Sequence, residues 1–221
     1  MRKMLIILSL LSFSLSFAQI EKSLGDFDKI KVSDKIEVRL VKSEENRIEI
    51  AGENAEEVNI ITNNNQLKIK MNITEFLKGD DVVIHLYYKS LQEVLATEGA
   101  IISSEETFKT NSLKLRANKG AEIDLDVEVV NLEVTTNSGG SVVLNGTAEK
   151  QEVVSNTGGF YDGEELISKH TKVTVNAGGA ADVYASEKVD AKTRAGGEIH
   201  IWGPAEINTT KIVGGNIEVH R

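Results

Sequence analysis

The stretch Asn137-Ser-Gly-Gly140 decides the fold of this chain because it recurs, with small changes, throughout the second half. Close copies are Asn118-Lys-Gly-Ala121, Asn156-Thr-Gly-Gly159 and Asn176-Ala-Gly-Gly179, and looser ones are Arg194-Ala-Gly-Gly197, Ile212-Val-Gly-Gly215 and a phrase ending at Gly99-Ala100. Successive phrases end 18 to 21 residues apart. A spacing this regular is typical of a repeat array, so the period predicts a solenoid.

Apolar residues fall into columns when the repeats are aligned on the last residue of each phrase. Two positions after it stand Ile102, Ile123, Val142, Tyr161, Ala181, Ile199 and Ile217. Six positions before it stand Val94, Leu115, Val134, Val153, Val173 and Ala191. Apolar residues at every second position direct one side of a strand into a core. A strand therefore enters each phrase and a strand leaves it, and like residues stack about 4.8 Å apart from coil to coil.

The phrase itself is explained as a corner between two strands. Glycine adopts positive φ or allows close approach of backbones, and Asn tolerates left-handed conformations and can pair with Asn in neighbouring coils as a ladder. The predicted corner residues are Asn118, Asn137, Asn156, Asn176, Gly120, Gly140, Gly159, Gly179, Gly197 and Gly215. We expect positive φ at Gly140. A calcium-binding nonapeptide array is disfavoured, because it requires a period of about nine.

The rest of the chain adds no separate domain. Short alternating apolar runs, such as Ile36-Glu-Val-Arg-Leu40, are bounded by turn residues in the first half and predict half-buried strands. We therefore predict one β-solenoid domain over residues 19–221, with less regular coils at 27–95 and regular coils at 96–219. The coils are expected to contain about 18–21 residues each.

The first residues are typical of an export signal. Met1-Arg2-Lys3 precedes an apolar run to Phe17, and small residues then predict cleavage after Ala18, so residues 1–18 are interpreted as a signal peptide.

The chain has no Cys, which excludes disulfides and a lipid-modified cysteine. Its net charge is −9, which argues against nucleic acid as a partner. We expect a periplasmic, outer-surface or secreted protein with no transmembrane segment after signal removal.

One family resembles this sequence over residues 27–219. The run Val183-Tyr-Ala-Ser-Glu-Lys-Val-Asp-Ala-Lys-Thr-Arg-Ala-Gly-Gly-Glu-Ile-His-Ile-Trp-Gly-Pro204 is similar to the closing repeats of the head GIN domain family, and Phe27-Asp-Lys-Ile-Lys-Val-Ser-Asp-Lys-Ile-Glu-Val38 and Leu67-Lys-Ile-Lys70 are similar to its N-terminal pattern. That family is described as autotransporter-adhesin head domains common in Bacteroidetes. The resemblance implies a right-handed, single-stranded β-solenoid in the periplasm or at the cell surface, and it brings no catalytic residues with it.

An acidic column is one candidate site on the outward side of the coils. Three positions after each phrase stand Asp124, Val143, Asp162, Asp182, His200 and Glu218. Such a stripe could hold a divalent cation or meet a basic partner, although charged strand faces are usually just solvated. The four histidines share no spacing such as His-x-x-x-His, so neither a metal site nor a cofactor is predicted.

Three aromatic residues form the second candidate site. Phe160, Tyr184 and Trp202 lie one or five positions after their phrases, which places them on the outward side. Exposed aromatic rings could stack on sugars, or they could cover a loop or the terminal coil. The candidate binding residues are therefore Phe160, Tyr184, Trp202, Asp162 and Asp182.

Two functions follow from these candidates. The favoured one is a non-catalytic binding or structural module of the cell envelope that presents a rigid face to a glycan or protein partner. The alternative is a β-helical polysaccharide lyase or hydrolase that uses the outward carboxylates. Inverting hydrolysis would need two carboxyl groups about 6.5–9.5 Å apart, which neighbouring coils can provide. Short, uniform repeats without long cleft-forming loops favour the binding module.

Overall fold

The computed structural model describes residues 20–220, so the predicted signal peptide lies outside the described residues. This part of the chain contains seventeen strands and, apart from two short 3-10 turns, no helix. The strands are β1 (Ile20–Ser23), β2 (Lys29–Val32), β3 (Glu37–Lys42), β4 (Arg47–Ala51), β5 (Val58–Asn63), β6 (Gln66–Met71), β7 (Val83–Tyr88), β8 (Glu93–Thr97), β9 (Ile101–Ser104), β10 (Phe108–Asn118), β11 (Glu122–Asn137), β12 (Ser141–Asn156), β13 (Phe160–Asn176), β14 (Ala180–Arg194), β15 (Glu198–Trp202), β16 (Glu206–Ile212) and β17 (Asn216–His220).

The regular half of the molecule is a stack of parallel coils. Strands β11 to β14 each run from one glycine phrase to the next, and each pairs in parallel with the strand before and after it. The pairing joins equivalent repeat positions, as in Asn118 with Asn137 and Asn137 with Asn156. Together the coils form a β-solenoid of about seven turns. The predicted all-β solenoid is confirmed.

The apolar columns meet inside the coils and form one continuous core. Ile123, Val142 and Ile199 are each at most 1% exposed, and every member of the column six positions before the phrase is buried. A polar cluster interrupts this core at β12–β14. Tyr161 donates a hydrogen bond to Gln151 Oε1 at 2.9 Å, and Gln151 Nε2 donates to Thr171 Oγ1 at 2.9 Å. These buried polar groups are therefore satisfied within the core, as stability requires.

The corners combine a tight turn with an Asn ladder. In Asn137-Ser-Gly-Gly140, Ser138 and Gly139 have φ of +50° and +75°, and Gly140 N donates to Asn137 O at 3.0 Å. Two consecutive positive φ angles are the pattern of a type I′ turn. The four corner asparagines are linked by amide hydrogen bonds of 2.7–2.8 Å between Nδ2 of one coil and Oδ1 of the coil before it: Asn137 to Asn118, Asn156 to Asn137, and Asn176 to Asn156. The ladder therefore links four coils.

The reason for glycine at Gly140 differs from our expectation. Gly140 does not have positive φ, which falls on Gly139 before it; the same holds for Gly159 and Gly179, whereas Gly120, Gly197 and Gly215 do have positive φ. A Cβ on Gly140 would lie 2.2 Å from the carbonyl oxygen of Ala117 in the preceding coil. Close approach of two backbones therefore explains this glycine, and the expected positive φ at Gly140 is wrong.

The N-terminal end is more than a set of irregular coils. Strand β2 lies between β6 and β8, and β3 lies between β7 and β9, so the first coil is inserted between coils formed later in the chain. Strand β4 pairs antiparallel with β7 and with β1, and β5 pairs antiparallel with β6. These antiparallel strands close the end of the core, where Ile48 and Ile50 are buried.

The C-terminal end is open over the part of the chain that the structure describes. Strands β16 and β17 pair with β14 and β15 on one side only. Ile217, whose column is fully buried in earlier coils, is only partly buried, and Val219 is 44% exposed. This end therefore exposes both strand edges and inward-facing side chains.

Candidate functional site

The outward columns of the strands that follow the glycine phrases bring the candidate acidic residues together. Parallel register places Asp162 next to Asp182, Asp182 next to His200, and His200 next to Glu218. Asp124 is separated from Asp162 by Val143. The predicted column is therefore real, but its acidic character is concentrated in the last four coils.

The candidate aromatic residues do not form one cluster. Tyr184 on β14 and Trp202 on β15 are register partners and lie side by side. Phe160 is in a different column, whose register partner is Ala180, and it is 37% exposed. A position one residue after the phrase and a position five residues after it share an outward face, but they lie two side-chain repeats apart along the strand.

Two histidines complete the surface around Trp202. The rings of Trp202 and His220 stack with centroids 4.6 Å apart and an interplanar angle of 16°. His200 lies 5.8 Å from the Trp202 ring and 5.3 Å from the His220 ring, measured between centroids. We call Tyr184, His200, Trp202 and His220 the aromatic patch. All four side chains are half-buried, so each ring is partly open to solvent and partly held by its neighbours.

Carboxylates border the aromatic patch. Asp182 Oδ1 lies 3.9 Å from His200 Nδ1, and Glu198 Oε1 lies 3.3 Å from His200 Nε2. Partial burial raises the pKa of Asp182; the nearby His200 opposes this shift, and the carboxylate of Asp162 adds to it. The patch therefore offers flat rings beside hydrogen-bond acceptors.

Residues 26–205 match the family described as "Putative auto-transporter adhesin, head GIN domain". The chain belongs to the head GIN domain family. A search of curated proteins gave no significant match.

Solved structures share the fold of this head GIN domain. A structure from Bacteroides fragilis NCTC 9343 that is described as "a putative adhesin" superposes with a TM-score of 0.82 at 18% identity, and the match covers 94% of this chain and 98% of that chain. One from Parabacteroides merdae ATCC 43184 gives 0.74 at 20% identity, covering 93% and 96%. A Parabacteroides distasonis ATCC 8503 structure described as a "Putative lipid binding protein" gives a TM-score of 0.71 at 17% identity, covering 92% of this chain and 96% of that chain. At these identities the likeness shows the fold alone.

The sequence analysis placed His200 and Glu218 in one outward column but missed His220 and its contact with that column. His200 and His220 are 20 residues apart, which is one coil of 18 residues plus two. In a solenoid this separation places two side chains on the same outward face of adjacent strands, one side-chain repeat apart. The signal was therefore the pair His200-x-Trp202 and Glu218-x-His220, one coil apart, and not a helical spacing such as His-x-x-x-His.

The head GIN domain also has a groove that crosses strands β10 to β14. Its volume is about 870 Å³, and the exposed apolar side chains Val130 and Ile167 are among its lining residues. Lysines and glutamates on its walls pair with one another, Lys109 with Glu128 at 2.6 Å and Lys169 with Glu149 at 2.7 Å. Because these lysines and glutamates pair with one another, they are less available to bind a ligand in the groove. The aromatic patch is therefore the stronger candidate site.

No helix within residues 20–220 is long and apolar enough to cross a bilayer.

Proposed function

We propose that this head GIN domain is an exported, non-catalytic adhesin-like module that binds carbohydrate through the aromatic patch. The observation that carries the proposal is the pairing of Tyr184 and Trp202 on neighbouring coils, with two histidine rings beside them. Flat aromatic faces next to hydrogen-bond acceptors suit sugar rings, because sugars present apolar C–H faces and hydroxyl edges.

The solenoid gives this patch a rigid support. Ile199 and Ile201, which alternate with the patch residues on β15, are fully buried, so the strand that carries His200 and Trp202 is fixed to the core. A binding surface that is already ordered loses little conformational entropy when a ligand binds. Partner recognition therefore needs no movement of the backbone.

Export supports the same function. The predicted signal peptide at residues 1–18 would deliver the protein across the inner membrane, where adhesin-like modules meet their partners. Cell fractionation tests this step, and recovery of the full-length protein in the cytoplasm would overturn it.

The binding experiment compares three alanine variants on a glycan array. Trp202→Ala and Tyr184→Ala are expected to lower affinity at least tenfold, which corresponds to about 1.4 kcal/mol, because each removes a stacking ring. Phe160→Ala is the matched control, since Phe160 is exposed on the same face but outside the patch, and it should bind like the wild type. Equal glycan binding by all four proteins would refute carbohydrate recognition by the patch, and binding only to proteins on a cell-surface array would replace the glycan with a protein partner.

The enzyme alternative is tested on the same panel. Asp162 and Asp182 are neighbours in register, and the pKa of Asp182 is raised by partial burial, so a carboxyl pair is present. We expect incubation with polysaccharides to release no reducing ends and no unsaturated products. Release that is abolished by Asp182→Asn would instead support a β-helical hydrolase or lyase.

A further inference from the structure

Two histidines and one glutamate converge at the end of the aromatic patch. One imidazole nitrogen from His200, one from His220 and one carboxylate oxygen of Glu218 all lie within 4.8 Å of one another. The fold produces this arrangement, because Glu218 is the register partner of His200, and His220 follows two residues later on the same face of β17.

Both histidines present a nitrogen that the protein does not satisfy. Nε2 of His200 and Nε2 of His220 are inaccessible to solvent and have no hydrogen-bond partner. Glu198 approaches His200 Nε2 to 3.3 Å but does not form a hydrogen bond with it. Polar atoms that are shielded from water are normally hydrogen-bonded, so two imidazole nitrogens without such a bond, near a carboxylate, are available to bind a cation.

The surrounding residues orient the three side chains. Asn216 Nδ2 donates a 2.6 Å hydrogen bond to Glu218 Oε1, which leaves the other carboxylate oxygen available. Trp202 stacks on His220 and restricts the rotation of its ring. Asp182 lies 3.9 Å from His200 Nδ1, on the opposite side of the ring from Nε2. At this distance there is no direct hydrogen bond, so Asp182 places negative charge near His200 but does not fix the orientation of its ring.

We infer that His200, Glu218 and His220 form a binding site for a divalent transition-metal ion of the zinc class. Two imidazoles and one carboxylate bind zinc with one coordination position left open, whereas calcium and magnesium prefer sets composed of oxygen ligands. Bonds of about 2.0–2.2 Å require the ligand atoms to be closer together than 4.8 Å. Glu218 is exposed and only one of its carboxylate oxygens is held, by Asn216, so rotation of the Glu218 side chain can bring the other oxygen closer to the two histidines without moving the strands.

The metal site goes beyond the proposed carbohydrate binding and does not depend on it. The family match covers residues 26–205, so Glu218 and His220 lie outside it. The site would also join β15 to β17, which is the outermost strand of its face among the described residues. Metal binding is therefore expected to stabilise the last coil as well as to fill the site.

The experiment is a zinc titration of the purified protein against a chromophoric chelator. The wild type should bind one Zn²⁺, and His200→Ala, His220→Ala and Glu218→Ala should each weaken binding by at least about 100-fold, because loss of an outer-shell residue alone costs about 10–100-fold. Asn216→Ala, which changes only the orientation of Glu218, should cost about tenfold. His170→Ala is the matched control: His170 is an exposed strand histidine outside this cluster, and its removal should change nothing.

Three readouts decide the outcome. Zn²⁺ should raise the melting temperature of the wild type and of His170→Ala but not that of His220→Ala, because only a ligand that binds the folded state stabilises it. Circular dichroism establishes that each variant is folded. Zinc affinity in the wild type no higher than in the His200→Ala/His220→Ala double variant, or equal loss in His170→Ala, would overturn the site. Zinc binding without glycan binding would refute the proposed function alone, and the reverse would refute the metal site alone.

Discussion

The two ends of this solenoid differ in how far their strand edges and core are covered. Parallel coils leave an unpaired strand edge and an exposed core at each end, which is an aggregation risk unless the end is covered. At the N-terminal end, β1, β4 and β5 pair antiparallel with outer strands, and Ile48 and Ile50 are buried. At the C-terminal end of the described chain, β16 and β17 have one neighbour each, and Val219 is 44% exposed.

The covered N-terminal end is expected to be the more stable one, whereas the candidate metal ligands lie at the open C-terminal end. Coils of a solenoid contact only their neighbours, so the last coil receives half of the contacts that an interior coil receives. The candidate metal ligands Glu218 and His220 belong to that last coil, and His200 belongs to the coil before it. A metal ion bound between these two coils would therefore stabilise the last coil without disturbing the rest of the solenoid.

The largest expected effect comes from truncating the core at each end. Ile84 on β7 is fully buried under the antiparallel cap, so Ile84→Ala should lower the free energy of unfolding by about 2–5 kcal/mol. Ile217 on β17 is only partly buried, and Ile217→Ala should cost about 1 kcal/mol or less. Urea denaturation of the two variants measures both. Equal losses would show that the C-terminal coil is as well covered as the N-terminal one.

Alkaline pH should weaken the closed end by the next largest amount. Tyr88 on β7 stacks on Phe108 with centroids 5.4 Å apart, and burial, with a smaller contribution from the charge of Glu106, raises the pKa of Tyr88 to about 12. Below pH 10 the phenol is neutral in both states. Between pH 10 and 12 the unfolded chain loses the proton first, so about 2–3 kcal/mol of stability should disappear as the pH rises through this window.

The control for this prediction is Tyr88→Phe, which keeps the ring and removes the ionisable group. Urea midpoints of wild type and variant should converge at pH 9 and differ at pH 12, where the variant should be the more stable protein. Lysine titration is shared by both proteins and cancels in the difference. An identical alkaline loss in both would show that Tyr88 titrates as freely in the folded state as in the unfolded one.

Much of the fold could be predicted because it repeats. The period fixed the solenoid, the alternate apolar columns and the Asn ladder, since each depends only on residues one coil apart. The closed end could not be derived in this way. Strands β2 and β3 each lie between two strands that come later in the chain, and the antiparallel pairing of β4 follows no period. Non-local pairing leaves no signal in a repeat alignment.

The polar cluster in the core was not predictable from the period either. The buried Gln151 and Thr171 are polar members of a column that is otherwise apolar, and only the structure shows the hydrogen bond from Tyr161 to Gln151.

The candidate site was predictable in part. Column alignment placed Tyr184, Trp202, Asp162 and Asp182 on the outward side of the coils. The structure adds that Tyr184 pairs with Trp202 and Asp162 with Asp182. Column alignment did not reveal the contact between His200 and His220, which depends on a diagonal across two strands and on ring orientations. Nor did the alignment distinguish Gly139, which has positive φ, from Gly140, which lies against the backbone of the preceding coil.

Two glycines test whether the corners differ between the interior and the open end. Gly140→Ala places a Cβ 2.2 Å from the Ala117 carbonyl oxygen, so the coils must separate, and we expect a loss of about 1–3 kcal/mol. Gly214 has φ of +84° but open space around it, so Gly214→Ala meets only backbone strain and should cost about 1 kcal/mol in a coil that is already weak. Thermal unfolding of both variants gives the ranking. A larger loss at Gly214 would mean that φ, and not coil spacing, limits these corners.

The last comparison concerns the Asn ladder, which stops before the open end. Asn156 both donates a hydrogen bond to Asn137 and accepts one from Asn176, so Asn156→Ala should lower the free energy of unfolding by about 1–2 kcal/mol. Asn118 lies at the end of the ladder and makes one such bond, so Asn118→Ala should cost about half as much.

The corner after Asn176 has Arg194 in the equivalent position. Arg194→Asn would extend the ladder by one rung towards β16 and is expected to raise the melting temperature slightly, since it adds one amide pair.

The ladder extension is informative because it acts only where the two ends differ. Arg194 is exposed, so replacing it should remove little packing, and any gain must come from the new pair with Asn176. Arg194→Ala is the matched control, because it removes the same side chain and adds no amide. Stabilisation in both variants would attribute the gain to the loss of Arg194 itself. Stabilisation only in Arg194→Asn would show that the open end is weak partly because its corners lack the amide ladder that holds the interior coils together.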